Sequence, residues 1–227
     1  MTEVDIPAEG FGCFDEFFVR RLRDGARPMA EGADVFVSPA DGKILNHGDL
    51  SRGRVLQVKG WSYSAAKLLG DSAEAKRYEG GSFLTVYLSP RDYHRVHMPL
   101  AGEVVGFRHV PGPLYPVNRL GVEHVPGLFA RNERVVTILD TALGRMAVVL
   151  VGATCVGRIS LAYADLKAHA GRMGQFITAE QGAKIEKGDE LGVFHMGSTV
   201  VVLTERPQAF QARLERGVPV KMGEQLV

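Results

Sequence analysis

A serine hydroxyl at its ordinary pKa is a poor nucleophile, so a serine that does chemistry needs a base nearby, usually a histidine oriented by a carboxylate. This chain carries candidates for each role. Ser198 follows Gly197 inside GVFHMGSTVVVLTE (192–205), His94 and His97 stand three apart in YHRVH, and Asp41 sits in SPADGKI. Each of them alone has an ordinary structural reading. Asp-Gly marks a turn, Gly-Ser before a β-branched run reads as a turn feeding a strand, and two histidines at this spacing suit a packed core as well as a metal. No metal is expected, because no cysteine lies near the pair in sequence and Pro90 and Pro99 bracket the segment as a loop.

These residues are far apart in the chain, so only a fold can gather them. Residues 14–23 (FDEFFVRRLR) read as an amphipathic helix with Phe14, Phe17, Phe18 and Leu22 on one side and Arg20, Arg21 and Arg23 around it. That stripe suits either an anionic lipid surface or docking on the body of the same protein. Strands are expected at 35–38, 43–45, 54–58, 82–88, 103–110, 134–139, 146–151, 155–162 and 199–205, from β-branched and alternating runs bounded by turn residues. A serine-capped helical segment is expected over 62–71, extended loops over 89–99 and 111–121, and a helical start over 208–213. The prediction is one mainly β domain over 1–227, a barrel or sandwich of short strands with a short N-terminal amphipathic helix and long loops.

The bulk numbers exclude several function classes. With 27 basic and 26 acidic residues the net charge is +1, which gives no reason to expect a nucleic-acid partner. Cys13 and Cys155 lack the spacing of a zinc site or a redox pair, so a reduced compartment is the default. The start MTEVDIPAEG lacks a basic region followed by an apolar one, and the run at 146–157 is too short and interrupted to cross a bilayer. Any membrane contact is therefore expected to be peripheral.

Taken together, EFFVRRLRDGARP (16–28), SPADGKI (38–44), LSPRDYHRVHMP (88–99), NERVV (132–136), VGATCVG (151–157) and KGDELGVFHMGST (187–199) resemble the pyruvoyl-dependent phosphatidylserine decarboxylase family, of the short prokaryotic type. They run in the family order across nearly the whole chain, and YHRVHMP joined to a downstream GST is the specific part. The resemblance implies a lipoyl-like hybrid barrel and a proenzyme that cuts itself between Gly197 and Ser198. The products would be a β chain, 1–197, and an α chain, 198–227, headed by a pyruvoyl group made from Ser198. It also implies that His97 activates Ser198 and that Asp41 orients and charge-stabilises His97. The mature enzyme would form a Schiff base with the substrate amine, release CO2 and yield phosphatidylethanolamine, with His94 serving the decarboxylation phase.

The partners implied are an anionic phospholipid surface on the cytoplasmic side of the cell membrane and the two cleaved chains held as a heterodimer, with a dimer of these as a further arrangement. On charge alone, Lys43, Arg95 and Arg119 are candidates for the rim of the substrate pocket. The chain departs from the family pattern at Cys155, Arg158 and Met196, none of which removes a group the chemistry needs. Two alternatives stay open: the same chemistry on another serine-headed lipid or a soluble amino acid, and a non-catalytic lipoyl-like carrier, for which Lys187 is the candidate modifiable lysine.

Overall fold

The structure is a computed structural model that describes residues 2–57, 61–154, 158–166, 177–178, 183–195, 198–210 and 214–226. In chain order the helices are α1 (Phe14–Phe18), α2 (Ala65–Leu69), α3 (Ser72–Ala75), α4 (Arg119–His124) and α5 (Leu128–Arg131). The strands are β1 (Gly42–Asp49), β2 (Arg54–Leu56), β3 (Ser62–Ser64), β4 (Ser82–Leu88), β5 (Arg95–His97), β6 (Gly102–Val110), β7 (Arg134–Thr141), β8 (Gly144–Gly152), β9 (Ile159–Leu161), β10 (Ile177–Thr178), β11 (Lys184–Ile185), β12 (Glu190–Phe194), β13 (Ser198–Thr204) and β14 (Pro219–Val220).

The main sheet is antiparallel and runs β10-β6-β7-β8-β13-β4-β1-β14, with β11 also on β6. Its middle reads as unbroken apolar sequence because both faces are covered. All seven residues of β13 are buried, and Val148 to Val151 in β8 are fully so. β13 pairs with β4 on one side and β8 on the other along its whole length. A second, three-stranded sheet has the order β5-β12-β9, and β2 and β3 form a separate hairpin. The described strands leave the sheets open and close no barrel, so of the two expected architectures the sandwich is the one adopted.

The C-terminal tail is laced to the N-terminal arm. β14 pairs with β1, Val37 bridges Gln225, and the Ser38 and Leu226 amides donate to Glu224 and Phe36 carbonyls at 2.8 and 3.0 Å.

Several boundaries differ from expectation. α1 stops at Phe18, where Arg20 turns away to donate to the Arg91 and Asp92 carbonyls. Residues 35–38 make only the Val37 bridge, because their hydrogen bonds go to the tail and to Pro99. Within 62–71 the first three residues form β3, and Ser64 rather than Ser62 caps α2 through the Ala66 amide. The loop expected over 89–99 contains β5, and the one over 111–121 runs into α4, capped by Asn118. Of the helical start expected over 208–213, residues 208–210 are turn and the remainder lies outside the described residues.

Candidate functional site

Ser198 opens β13, and its partners in register are Leu88, the last residue of β4, and Gly152, the last of β8. At Leu88 the chain leaves the sheet for the loop that carries His94. On the far side of β4, β1 begins at Gly42, directly after Asp41. With neighbouring strands about 4.8 Å apart, Asp41, the His94 loop and Ser198 meet at one end of the sheet. Gly42 permits this approach, because a Cβ there would collide with the Tyr87 carbonyl. The NERVV stretch braces the other flank: Asn132 Nδ2 donates to the Gly152 carbonyl and the Gly152 amide to the Glu133 carbonyl, each at 2.8 Å.

The Ser198 side chain is fully buried, and among the described residues its Oγ has no hydrogen-bond partner. An unpaired buried hydroxyl costs about 1–3 kcal/mol, a cost that a purely structural serine usually avoids. It lines a cavity of about 240 Å³ together with Tyr87, Pro90, Asn118 and Thr154 among others. Gly197, the other half of the expected scissile bond, lies outside the described residues, as do Met196 and Cys155.

His97 sits at the end of β5, opposite Glu190 of β12. Its Nδ1 lies 2.7 Å from the Gly188 carbonyl and so carries the proton, while Nε2 accepts from the Tyr93 hydroxyl at 3.1 Å. Gly188 reaches this position with φ of +88°, in the Lys-Gly-Asp turn that the sequence marks. Burial lowers the pKa of His97; its bond to the Gly188 carbonyl and the Glu190 charge work against that effect, and the Asp41 charge adds a smaller contribution in the same direction. The ring is therefore neutral near pH 7, with Nε2 as its basic nitrogen. His97 faces a cavity of about 510 Å³ that it shares with Arg27, Tyr93 and Glu190, distinct from the one lined by Ser198.

Asp41 and His97 are brought together through the backbone, since the His97 amide donates to the Pro39 carbonyl at 2.8 Å. The Asp41 carboxylate itself is held by Arg27, whose Nε lies 2.9 Å from Oδ1 and whose Nη2 bonds Oδ2, and by the Met222 amide at 2.9 Å. Arg27 extends the chain of charge to Glu3 at 3.0 Å. The Asp41 bond raises the pKa of this nearly buried guanidinium. Arg27 thus anchors the carboxylate, and the carbonyl of Gly188 sets the tautomer of His97.

His94 is inaccessible to solvent. Its Nδ1–H donates to the Asp92 carbonyl at 2.8 Å, which leaves Nε2 as a buried lone pair with no partner among the described residues. The Phe18 ring of α1 lies against the imidazole, and burial pushes the His94 pKa down to about 4. One side of α1 thus docks on the protein, while Phe14 remains 61% exposed.

The three rim candidates separate. Lys43 lines a cleft with Tyr87 and Pro90, both of which also line the Ser198 cavity. Arg95 is committed to Glu190 at 2.7 Å and the Val19 carbonyl at 2.9 Å. Arg119 is exposed on α4, next to the pocket-lining Asn118, and pairs with Glu123. Lys187 is not displayed at a hairpin tip, because its ammonium donates to the Ala30 and Gly32 carbonyls at 2.7 and 2.6 Å. The carrier alternative loses its candidate lysine.

Sequence reasoning did not single out Arg27, Tyr93 or Gly188, and it named Phe18 only as one of an aromatic stripe. All four stand inside or beside the matched stretches, but their roles depend on contacts across the fold.

The family model described as phosphatidylserine decarboxylase matches residues 14–227. The phosphatidylserine decarboxylase proenzyme of Anaeromyxobacter sp. (strain K) is 50% identical over 220 residues, covering 94% of this chain and 77% of that protein. The proenzyme of the same name from Myxococcus xanthus is 44% identical over 227 residues, covering 100% and 81%. That of Pseudomonas aeruginosa PAO1 is 50% identical over 222 residues, covering 95% and 77%.

Proposed function

Because the chain belongs to the phosphatidylserine decarboxylase family, we propose that it cuts itself between Gly197 and Ser198 and works as two chains, 1–197 and 198–227, of one domain. It is a decarboxylase that converts phosphatidylserine to phosphatidylethanolamine and is made as a proenzyme. The family is pyruvoyl-dependent, and in our reading that group derives from Ser198. The observation that carries the proposal is the buried, unpartnered Oγ of Ser198 at the edge of a cavity.

In maturation, Ser198 Oγ attacks the Gly197 carbonyl, the Gly197–Ser198 C–N bond breaks, and an ester forms while the freed nitrogen of residue 198 takes up a proton. The Cβ–Oγ bond then breaks as a base removes the Cα proton, so Oγ leaves as part of the new Gly197 carboxylate; the dehydroalanine left at residue 198 tautomerises to an imine, which water hydrolyses to the pyruvoyl carbonyl with release of ammonia. His97 is the base. Its neutral ring presents Nε2 as a proton acceptor, and accepting a proton there displaces the Tyr93 hydroxyl as donor. Asp41 contributes a fixed negative charge that favours the protonated ring, and Arg27 with the Met222 amide keeps that charge in place.

The setting of residue 198 fits the group, since a cavity already adjoins it and no hydrogen bond from the described residues has to be broken to free its oxygen. A pyruvoyl group there supplies an electrophilic carbonyl and a sink for the electron pair left when CO2 departs. His94 serves the decarboxylation phase, with a buried neutral ring whose free Nε2 can hold or move a proton in a dry site. Lys43 contacts the headgroup; Arg95 and Arg119 have other partners.

Among the described residues no helix is long and apolar enough to cross a membrane, which is compatible with peripheral association. We place the contact on the cytoplasmic side and assign it to the exposed Phe14 end of α1, with the exposed Arg21 nearby.

Intact mass after expression tests the proposal. The expected result is two pieces that part at residue 198, the smaller with no free amine at its N-terminus. A single full-length chain would overturn it.

A further inference from the structure

A second cleft, of about 370 Å³, opens beside the Ser198 cavity and is lined by Lys43, Tyr87, Ser89, Pro90 and Arg91. Tyr87 and Pro90 line both spaces, so the two are contiguous. Lys43 and Arg91 are exposed, and among the described residues neither pairs with a carboxylate.

Both cations are nevertheless set on fixed backbone. Lys43 stands opposite Tyr87 in the pairing of β1 with β4, and Tyr87 in turn stands opposite Thr199, the residue after Ser198. Arg91 belongs to a tight turn. The Asp92 amide donates to the Ser89 carbonyl at 2.8 Å, and the Asp92 carboxylate accepts from the Ser89 amide at 2.7 Å and hydroxyl at 2.8 Å. Asp92 is the negative group near the cleft, and these bonds occupy one of its oxygens. From outside, Arg20 grips the turn through the Arg91 and Asp92 carbonyls. The guanidinium of Arg91 is what this construction leaves over.

The reaction assigns these charges. The substrate presents two anions, the carboxylate that leaves and the phosphodiester that stays. A cation bound to the carboxylate would stabilise a charge that vanishes in the transition state, and so would slow the reaction. A cation on the phosphodiester stabilises ground and transition states alike and serves recognition. The phosphorus is separated from the reacting amine only by the serine carbons and one ester oxygen, which matches a cleft that adjoins the Ser198 cavity. A guanidinium suits phosphate by offering two parallel donors, and an ammonium adds a point charge.

We propose that Arg91, together with Lys43, binds the phosphodiester of the substrate, and that this pair makes the enzyme select phosphodiester-linked serine over serine without a phosphate. The proposal rests on the decarboxylase reading above.

The test compares wild type with Arg91→Gln, Lys43→Gln and the charge-keeping Arg91→Lys. Each is first checked for cleavage by mass, then assayed on dihexanoyl phosphatidylserine below its micelle concentration, on glycerophosphoserine and on O-methylserine, which keeps the amine and carboxylate and lacks the phosphate. Cleavage is expected in all variants. For Arg91→Gln, KM should rise about 10- to 100-fold on both phosphodiesters, the loss of one charge-assisted contact, with kcat within about twofold. Arg91→Lys should recover part of the loss, and the slow reaction of O-methylserine should not change. An unchanged KM on the soluble phosphodiesters overturns the proposal, as does an equal loss on O-methylserine. A defect seen only on anionic vesicles also overturns it, because the cations would then attract the membrane surface and not the headgroup. A wild-type chain that stays uncleaved and inert would overturn the decarboxylase reading as well.

Discussion

The ring of Phe18 lies against the ring of His94, with centroids 4.0 Å apart and planes inclined by 44°. A five-residue helix near the N-terminus thereby seals the histidine assigned to decarboxylation. Phe18→Ala should let water reach the imidazole, at a cost of about 3–5 kcal/mol in stability. The His94 pKa, held to about 4 by burial, should then rise toward its ordinary value near 6.5. NMR titration of the ring protons checks this, and an unmoved pKa would show that other groups do the sealing.

Burial of His94 also ties stability to pH. The folded-state pKa is below the unfolded one, so between about 4 and 6.5 the unfolded chain binds more protons. Stability should be full above pH 6.5 and fall as pH drops through that window, by at most about 3 kcal/mol from this residue. His97 is depressed in the same direction and adds to the slope. Urea unfolding of Ser198→Ala, which should stay a single chain, measures the effect. Adding His94→Gln should flatten the curve.

The two histidines should separate the two reactions. His97→Ala should slow self-cleavage by about 10²- to 10⁴-fold, the usual contribution of a positioned base. His94→Ala should cleave and then turn over lipid poorly. Gel analysis and CO2 release from labelled lipid report the two steps. Normal cleavage together with full turnover in His94→Ala would overturn this division.

Arg27→Met leaves the buried Asp41 carboxylate with the Met222 amide as its remaining partner. Breaking a buried pair from one side costs about 3–5 kcal/mol, and both stability and cleavage should fall. Glu3→Gln, at the exposed end of the same chain of charges, should cost less than about 1 kcal/mol. Denaturant titrations in the Ser198→Ala background compare them.

Gly42→Ala should be among the most damaging single-methyl changes. The added carbon would meet the Tyr87 carbonyl, and overpacking of this kind costs about 1–3 kcal/mol or more. It would spread β1 from β4, carrying Asp41 and Lys43 away from Ser198. Mass spectrometry should find cleavage slowed even where the protein remains folded.

What could be read from the residues divides along physical lines. β4, β7, β8 and β13 were plain because strands covered on both faces must be apolar throughout, and that pattern is local. Asp41 and Ser198 could be named because they stand in specific stretches, and the fold brings both to one end of the sheet. The partner of Asp41 could not be read. Nothing local distinguishes Arg27 from the arginines before it, and its role arises only where the N-terminal arm crosses the Asp41 turn. The tautomer of His97 depends on a carbonyl, Gly188, that has no side chain to announce it. The length of α1 was overestimated because the arginines that extend its pattern are diverted to loop carbonyls.

β13 lies inside the sheet, paired on both sides from Ser198 to Thr204. A chain parted at its first residue keeps the smaller piece as an inner member of a folded sheet, released only by unfolding the whole. On the proposed maturation, the group at its head could therefore be neither exchanged nor made again, since the serine would have been consumed. Each molecule gets one catalyst. Its working life ends with the first side reaction that destroys the group, and supply depends on new synthesis rather than repair.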